Sequence, residues 1–194
     1  MTHSNNVPDF LKMAKELKEN ASRYAATESV NFFKESFVNE GFTDSSFTPW
    51  QETNNPLAGN RTLFKKGDLM RSIHKTEANE QRVVVESDLD YSEIQNEGGE
   101  IVVTEKMKRF FWAKYYEFSG KTKTKNSKAS KSKDSIKNNA KANFCKAIAL
   151  KKVGEKLKIP KHQYMGESHT LIQQFEQWYT GEVNIVFKQH LNKK

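Results

Sequence analysis

Apolar residues recur at spacings of three and four near both ends of the chain, which predicts an amphipathic helix at each end. The first covers residues 7–40, where Asp9 suits a helix start and Gly41 suits a helix end. The second covers residues 167–194. Gly181 inside it predicts a kink or a break, because glycine destabilises a helix interior by about 1 kcal/mol relative to alanine.

Alternating and β-branched residues in the middle of the chain predict short strands. Residues 68–76 alternate in polarity and residues 81–87 contain three consecutive valines, so we expect a β-hairpin. Residues 101–104 predict a third strand, and residues 156–159 alternate like a fourth strand that ends at Pro160.

Helical segments are also predicted between and after these strands. Residues 90–99 predict a short turn that ends in the pair Gly98–Gly99, which can take positive φ. Two further helices are expected over residues 106–118 and 139–152. The first of them is aromatic on nearly every face, which fits either the core of the subunit or a contact with another subunit. The residues expected at such a contact are Phe110, Phe111, Trp112, Tyr115 and Tyr116.

Together these elements predict an α+β fold with a long N-terminal helix, a small and mostly antiparallel sheet, a C-terminal helix and an inserted Lys-rich loop. A length of 194 residues favours one domain, so we expect a single domain over residues 1–194. The side chains predicted to be largely buried are Leu69, Ile73, Val83, Val85, Ile94, Ile159 and Phe175.

The positive charge of the chain is concentrated in one segment. The formal net charge is +8, and residues 120–141 hold eight lysines against one acidic residue, which leaves 24 basic and 23 acidic residues elsewhere. We expect residues 119–141 to form a mobile loop, since they contain one large apolar side chain. The loop is a solubilising tether, or its lysines contact nucleic-acid phosphates or an acidic partner. These lysines are Lys121, Lys123, Lys125, Lys128, Lys131, Lys133, Lys137 and Lys141.

Residue patterns typical of catalysis, metal binding or nucleotide binding are missing from the sequence. The five histidines show no zinc-binding spacing, and the acidic stretch at residues 86–93 lacks the glycine and glutamate of a calcium loop. We expect Cys145 to be a packing residue. We therefore expect no enzyme, no catalytic residue, no metal and no cofactor. The lack of a long apolar run and of a secretory signal predicts a chain that stays out of the membrane and inside the cell.

Three segments, in chain order, resemble the virion morphogenesis (tail-completion) family of Mu-like tailed phages. The first motif segment is KGDLMRSI (residues 66–73), the second is VVVESDLDYSEIQNEGG (residues 83–99), and the third is IPKHQYMGES (residues 159–168). The positions that match the family pattern are Gly67, Leu69, Ser72, Ile73, Tyr91, Ile94, Asn96, Gly98, Gly99, Ile159, Pro160, Gly166 and Ser168. About 60 residues separate the second segment from the third, more than in the simplest members, and the Lys-rich loop lies among them.

This resemblance, which extends to the wider group of phage neck and head–tail joining proteins, implies a structural protein of the virion. Such a protein is expected to act in tail completion or head–tail joining, as a homo-oligomeric, hexameric ring at the tail end or neck. Its implied partners are other neck, portal-adaptor or tail-tube proteins, and it is assembled in the host cytoplasm. The alternative is a nucleic-acid-binding module that contacts DNA non-specifically through its Lys-rich loop.

Overall fold

Helices and strands follow one another in an α+β fold, which confirms the predicted fold class. The computed structural model describes residues 9–58, 61–120 and 133–191. The described elements are α1 (Phe10–Asn39), β1 (Gly41–Thr43), β2 (Phe47–Pro49), α2 (Asp68–Ser72), β3 (Ile73–Ala78), β4 (Val83–Ser87), α3 (Ser92–Glu97), β5 (Gly99–Val102), α4 (Glu105–Gly120), α5 (Lys133–Ala149), β6 (Lys156–Ile159) and α6 (His169–Leu191). The described strands form three antiparallel pairs, β1–β2, β3–β4 and β5–β6.

These elements divide between two compact units. Unit 1 lies within residues 1–50, 67–92 and 163–194 and contains α1, α2, α6 and the hairpins β1–β2 and β3–β4. Unit 2 lies within residues 51–66 and 93–162 and contains most of α3, together with α4, α5 and the β5–β6 pair. The expectation of one domain over the whole chain stays a prediction.

Helix α1 begins and ends close to the predicted positions. The Asp9 carboxylate accepts a hydrogen bond from the first turn, as a helix N-cap should. The residue that ends the helix in the left-handed region is Glu40 (φ 53°), so the prediction of Gly41 as the cap is wrong. Gly41 instead begins β1, where a side chain would collide with the ring of Phe47 on the paired strand. Close strand pairing therefore accounts for the glycine at this position.

Residues 68–72 form helix α2, so the prediction that they begin a strand is wrong. Gly67 turns the chain with a φ of 75°, and the Arg71 guanidinium lies 2.6 Å from the Asp68 carboxylate within the short helix. Leu69 and Ile73 are both buried as predicted. Residues four apart lie on the same face of both a helix and a strand. The burial of Leu69 and Ile73 was therefore predicted correctly, although the type of secondary structure was not.

The core of unit 1 is built around the fully buried ring of Phe37. Its centroid lies 5.4 Å from that of Trp50 and 5.0 Å from that of Tyr164. The indole N–H of Trp50 donates to the Gln163 carbonyl at 2.6 Å, and the Tyr164 hydroxyl donates to the Ser92 carbonyl at 3.0 Å. Burial raises the pKa of Tyr164 to about 12, so its hydroxyl remains a donor at neutral pH.

Helix α6 packs along α1 in the same unit. The rings of Tyr24 and Trp178 stack with centroids 4.0 Å apart, and the Asn20 side chain donates to the Glu182 carboxylate at 2.7 Å. The helix continues through Gly181 without the predicted break. Contacts with α1 on both sides of Gly181 hold the helix together there, despite the low helix propensity of glycine.

Most of the side chains predicted to be largely buried keep some contact with water. Five of the seven predicted side chains are only half-buried: Val83, Val85, Ile94, Ile159 and Phe175. Four of these five belong to the β3–β4 hairpin or to the β5–β6 pair and the helix before it. A pair of strands has two open edges, so its side chains keep more contact with water than those of a wider sheet.

Helices α4 and α5 are packed against each other in unit 2. Helix α5 begins at Lys133 rather than at the predicted residue 139, so the predicted loop is wrong for residues 133–141, and also for residues 119–120, which end α4. The remaining loop residues, 121–132, lie outside the described residues. A buried stripe of small side chains explains the longer helix, because it packs α5 against its neighbour from the first turn onward; its members are Ser135, Ala142, Cys145 and Ala149.

Candidate assembly surfaces

The first motif segment forms the junction between α2 and β3 in unit 1. Gly67 is buried at positive φ, and Ile73 is fully buried. The Ser72 hydroxyl donates to the Leu69 carbonyl at 2.7 Å and shares a hydrogen bond with the Ser87 hydroxyl, also at 2.7 Å. These residues therefore hold a turn and a hairpin in place.

The second and third motif segments meet in unit 2, although about 60 residues separate them in sequence. Gly99 of β5 pairs with Ile159 of β6, directly before Pro160. Gly98 has a φ of 71°, and a side chain on it would come within 2.8 Å of the Lys161 main-chain nitrogen. Glycine is required here for both reasons.

Other residues of the second segment are less constrained. Tyr91 is exposed, while Ile94 is half-buried with its side chain close to Gly99. The Asn96 amide donates to the neighbouring Glu97 carboxylate at 2.6 Å. These contacts are local and position no group for chemistry.

The end of the third segment begins α6. Gly166 turns the chain with a φ of 144°. The buried Ser168 hydroxyl donates to the Thr43 carbonyl at 2.8 Å and accepts from the Leu171 N–H at 3.2 Å. Ser168 is thus the N-cap of α6 and also attaches that end of the helix to β1.

An exposed ion pair supports the same helix end. One Asp44 carboxylate oxygen accepts hydrogen bonds from the His169 main-chain N–H at 2.9 Å and from its imidazole Nδ1 at 2.8 Å. These bonds lower the pKa of Asp44, and the carboxylate raises the pKa of His169. The pair stabilises the α6 N-terminus where a negative charge is favourable.

The aromatic residues of α4 divide between two sides of the helix. Phe111, Trp112 and Tyr115 are half-buried, and the Phe111 ring lies 6.5 Å from Phe144 of α5. By contrast, 53% of Phe110 and 67% of Tyr116 are exposed. One side of α4 is therefore packed within the subunit, and the predicted contact with another subunit stays a prediction for the exposed side. We call the exposed side the α4 face; its large side chains are Lys106, Arg109, Phe110, Tyr116 and Glu117.

The lysines expected to bind phosphates or a partner are only partly described. Lys137 and Lys141 lie on α5, and the Lys141 ammonium is 5.6 Å from the centroid of the Phe118 ring. Lys133 is the first residue of that helix. The other five, Lys121, Lys123, Lys125, Lys128 and Lys131, lie outside the described residues.

Sequence reasoning missed an apolar surface on α6, which is exposed beside the strip of the helix that packs against α1. We call it the α6 face; its residues are Ile172, Tyr179, Val183 and Phe187, each between 36% and 45% exposed. Glu176 lies among them on the same side of the helix. The signal was present in the sequence, since α6 carries large apolar residues on more than one side and α1 can cover only one.

A shallow groove of about 410 Å³ lies beside Tyr179 in unit 1. Small side chains of α1, among them Ala21 and Ser22, leave the space, and Lys18, Glu80 and Arg82 line its rim. Lys18 and Glu80 form an ion pair at 4.0 Å, and Arg82 pairs with Glu77 of β3. The groove is open and has no convergent set of polar groups of the kind that orients a substrate.

The described residues contain no group of three or more His, Cys, Asp or Glu side chains placed to hold a metal ion. Cys145 is fully buried, and its burial raises the pKa of the thiol, which keeps it unreactive. Among the helices of the described ranges, none is long and apolar enough to cross a membrane.

The two units carry opposite net charges. The sequence of unit 2 contains 21 basic and 8 acidic residues, a net charge of +13, whereas that of unit 1 contains 11 and 16, a net charge of −5. The near-neutral net charge outside the Lys-rich segment is therefore the sum of a positive contribution from unit 2 and a negative one from unit 1. The sequence order hid this separation, because each unit is assembled from segments that alternate along the chain.

Comparison with protein-family models, with curated proteins and with solved structures finds no match for this chain.

Proposed function

We propose that this chain is a structural subunit of a tailed-phage virion. It acts in tail completion or head–tail joining, as a ring of subunits that is hexameric, at the end of the tail tube or in the neck. It carries no catalytic role in this proposal. Other neck, portal-adaptor or tail-tube proteins are its neighbours.

The joint between the second and third motif segments is the observation that carries this proposal. The second and third motif segments are separated by about 60 residues in sequence, yet Gly99 and Ile159 are paired in one two-stranded sheet. Gly98 is needed for the close approach of Lys161 in that joint. Motif residues that meet in space and restrict one another support a common architecture more strongly than separate short matches do.

The exposed helix faces add support for a role in assembly. Large apolar side chains on α4 and α6 are partly open to water, and contacts between subunits would bury them.

The test is made in the phage itself. Deleting the coding sequence from the phage genome should yield heads and tails that are unjoined or defective at the tail end, seen by electron microscopy, and the wild-type chain supplied in trans should restore infectious particles. Gly98→Val should fail to restore them, whereas Gly181→Ala, where nothing lies within 4 Å, should restore them fully. Normal infectious particles in the absence of the chain would refute the proposal.

Non-specific nucleic-acid binding is the second candidate, and the net charge of +13 in unit 2 favours it. Replacing the eight lysines of residues 120–141 with glutamine should then abolish binding to duplexes of any sequence. The wild-type affinity should also fall steeply with added salt. Negligible duplex binding by the wild-type chain, together with loss of particle assembly in the variant, would instead assign the lysines to partner docking.

A further inference from the structure

We infer that copies of this chain associate head to tail, with the α6 face of one copy packed against the α4 face of the next. The inference rests on the proposed function for its biological setting and names the surfaces through which the subunits meet.

The α6 face is an apolar surface that unit 1 does not cover. The adjacent side of α6 packs against α1, through the Tyr24–Trp178 stack and the hydrogen bond from the Asn20 amide to the Glu182 carboxylate. Tyr179 on the exposed side also borders the 410 Å³ groove, so the face is flanked by a depression that can receive a protruding side chain.

The α4 face supplies such side chains from unit 2. Phe110 and Tyr116 project from α4 and are more than half exposed. Lys106, Arg109 and Glu117 lie beside them, so this face combines aromatic groups with a net positive charge. Aromatic and arginine side chains are those most enriched at the centres of protein interfaces.

Charge decides which faces pair. Two α6 faces in contact would place Glu176 against Glu176, between units that each carry −5. Two α4 faces would bring together surfaces that each hold Lys106, Arg109 and Glu117 and are therefore net positive, between units that each carry +13. Of these pairings, the mixed one brings surfaces of opposite net charge together, and like net charges across an interface oppose association.

A mixed pairing has a direct consequence for assembly. Each copy uses two different surfaces, so every copy added leaves one surface free at each end of the growing chain of subunits. Such heterologous contacts continue until the subunits close into a ring or extend as a filament.

Complementation between two defective variants tests this pairing. The α6 variant is Tyr179→Ser with Val183→Ser, and the α4 variant is Phe110→Ser with Tyr116→Ser. We expect the purified wild-type chain to show a concentration-dependent mass above 22.4 kDa by light scattering and each variant alone to remain monomeric. An equimolar mixture should form dimers that grow no further, because only one working contact remains.

Matched controls remove exposed apolar side chains outside both faces. Leu11→Ser on α1 and Ile136→Ser on α5 change residues that are 86% and 61% exposed, and both should associate like the wild type. Circular dichroism checks that each variant is folded. As a second measurement, Glu176→Lys and Arg109→Glu should each weaken association about tenfold, and the chain carrying both changes should recover most of it.

Several results would overturn the inference. A wild-type chain that stays monomeric at every concentration, or a mixture that fails to form dimers, contradicts it. Dimers of the α4 variant alone would show that α6 faces pair with each other. Loss of duplex binding in the α4 variant, with association unchanged, would assign that face to nucleic acid. None of these results bears on whether the chain is needed in phage particles, so the two proposals fail separately.

Discussion

Unit 1 and unit 2 bury different kinds of side chain. Unit 1 encloses large aromatic rings, with Phe37 and Tyr164 fully removed from water. The buried stripe on α5 in unit 2 consists of small side chains, such as Ala142 and Cys145, while the aromatic residues of α4 stay partly exposed. Unit 1 thus obtains its stability from an internal core, whereas unit 2 keeps much of its aromatic surface available for contacts with other molecules.

Truncating one phenylalanine in each unit should reveal the largest difference in stability between the two units. Phe37→Ala removes a fully buried ring and should lower the free energy of unfolding by about 3–5 kcal/mol. Phe111→Ala removes a half-buried ring and should cost about 1–2 kcal/mol. Urea unfolding followed by tryptophan fluorescence measures both. Equal losses would show that unit 2 has a core like that of unit 1.

The Gly98 joint should be the most sensitive point of unit 2. Gly98→Val forces a β-branched residue to a φ of 71° and against the Lys161 main chain, so the free energy of unfolding should fall by about 2 kcal/mol or more. At Gly181 in α6, alanine meets no neighbouring atom and should stabilise the helix by up to about 1 kcal/mol. If both substitutions behave alike in thermal unfolding, the backbone strain at Gly98 has been misassigned.

Loss of the α6 cap should have a smaller effect that is confined to unit 1. Ser168→Ala removes the hydroxyl that accepts from Leu171 and donates to Thr43, and we expect a loss of about 1 kcal/mol in the free energy of unfolding. Hydrogen exchange should report faster opening of the first turn of α6. Ser119→Ala, on exposed α4 backbone, provides the comparison in unit 2 and should change little.

The smallest effect should come from pH, through the exposed His169–Asp44 pair. The pKa of His169 is raised, so its contribution is complete below its unfolded value of 6.5 and is lost as pH rises through the folded value. The pKa of Asp44 is lowered, so its contribution is present above 3.8 and is lost as pH falls through the folded value. The stability difference between wild type and His169→Ala should therefore be greatest between these limits.

Thermal unfolding across that pH range measures the difference, and an NMR titration of the His169 ring gives its pKa directly. A folded pKa at or below 6.5 for His169 would contradict the assigned pair.

Sequence patterns predicted the elements that are long or flanked by strong signals. The helices at both ends, the β3–β4 hairpin and the β5–β6 strands follow from periodicity and turn residues. Helix α2 was not predicted, because a five-residue helix is too short for its period to be distinguished from that of a strand. The start of α5 at residue 133 was not predicted, because its buried positions are small or polar side chains that give no hydrophobic pattern.

The candidate surfaces were predicted less completely than the fold. The aromatic content of α4 indicated a contact region, but only packing against α5 decides that Phe110 and Tyr116 are the exposed members. The α6 face depends on which side α1 covers, which is a tertiary property. The opposite charges of the two units follow from how distant segments associate, and no local window of sequence contains that information.

The buried Tyr164 has a consequence for how this architecture can change in length. Its hydroxyl bonds to Ser92, the last residue of unit 1 before residues 93–162, and Tyr164 itself follows directly after the chain returns at Gln163. The two ends of the segment formed by residues 93–162 are thus held close together by unit 1. Insertions and deletions within residues 93–162 need not displace α1 or α6. Evolution can therefore lengthen, shorten or replace this segment while unit 1 keeps its structure.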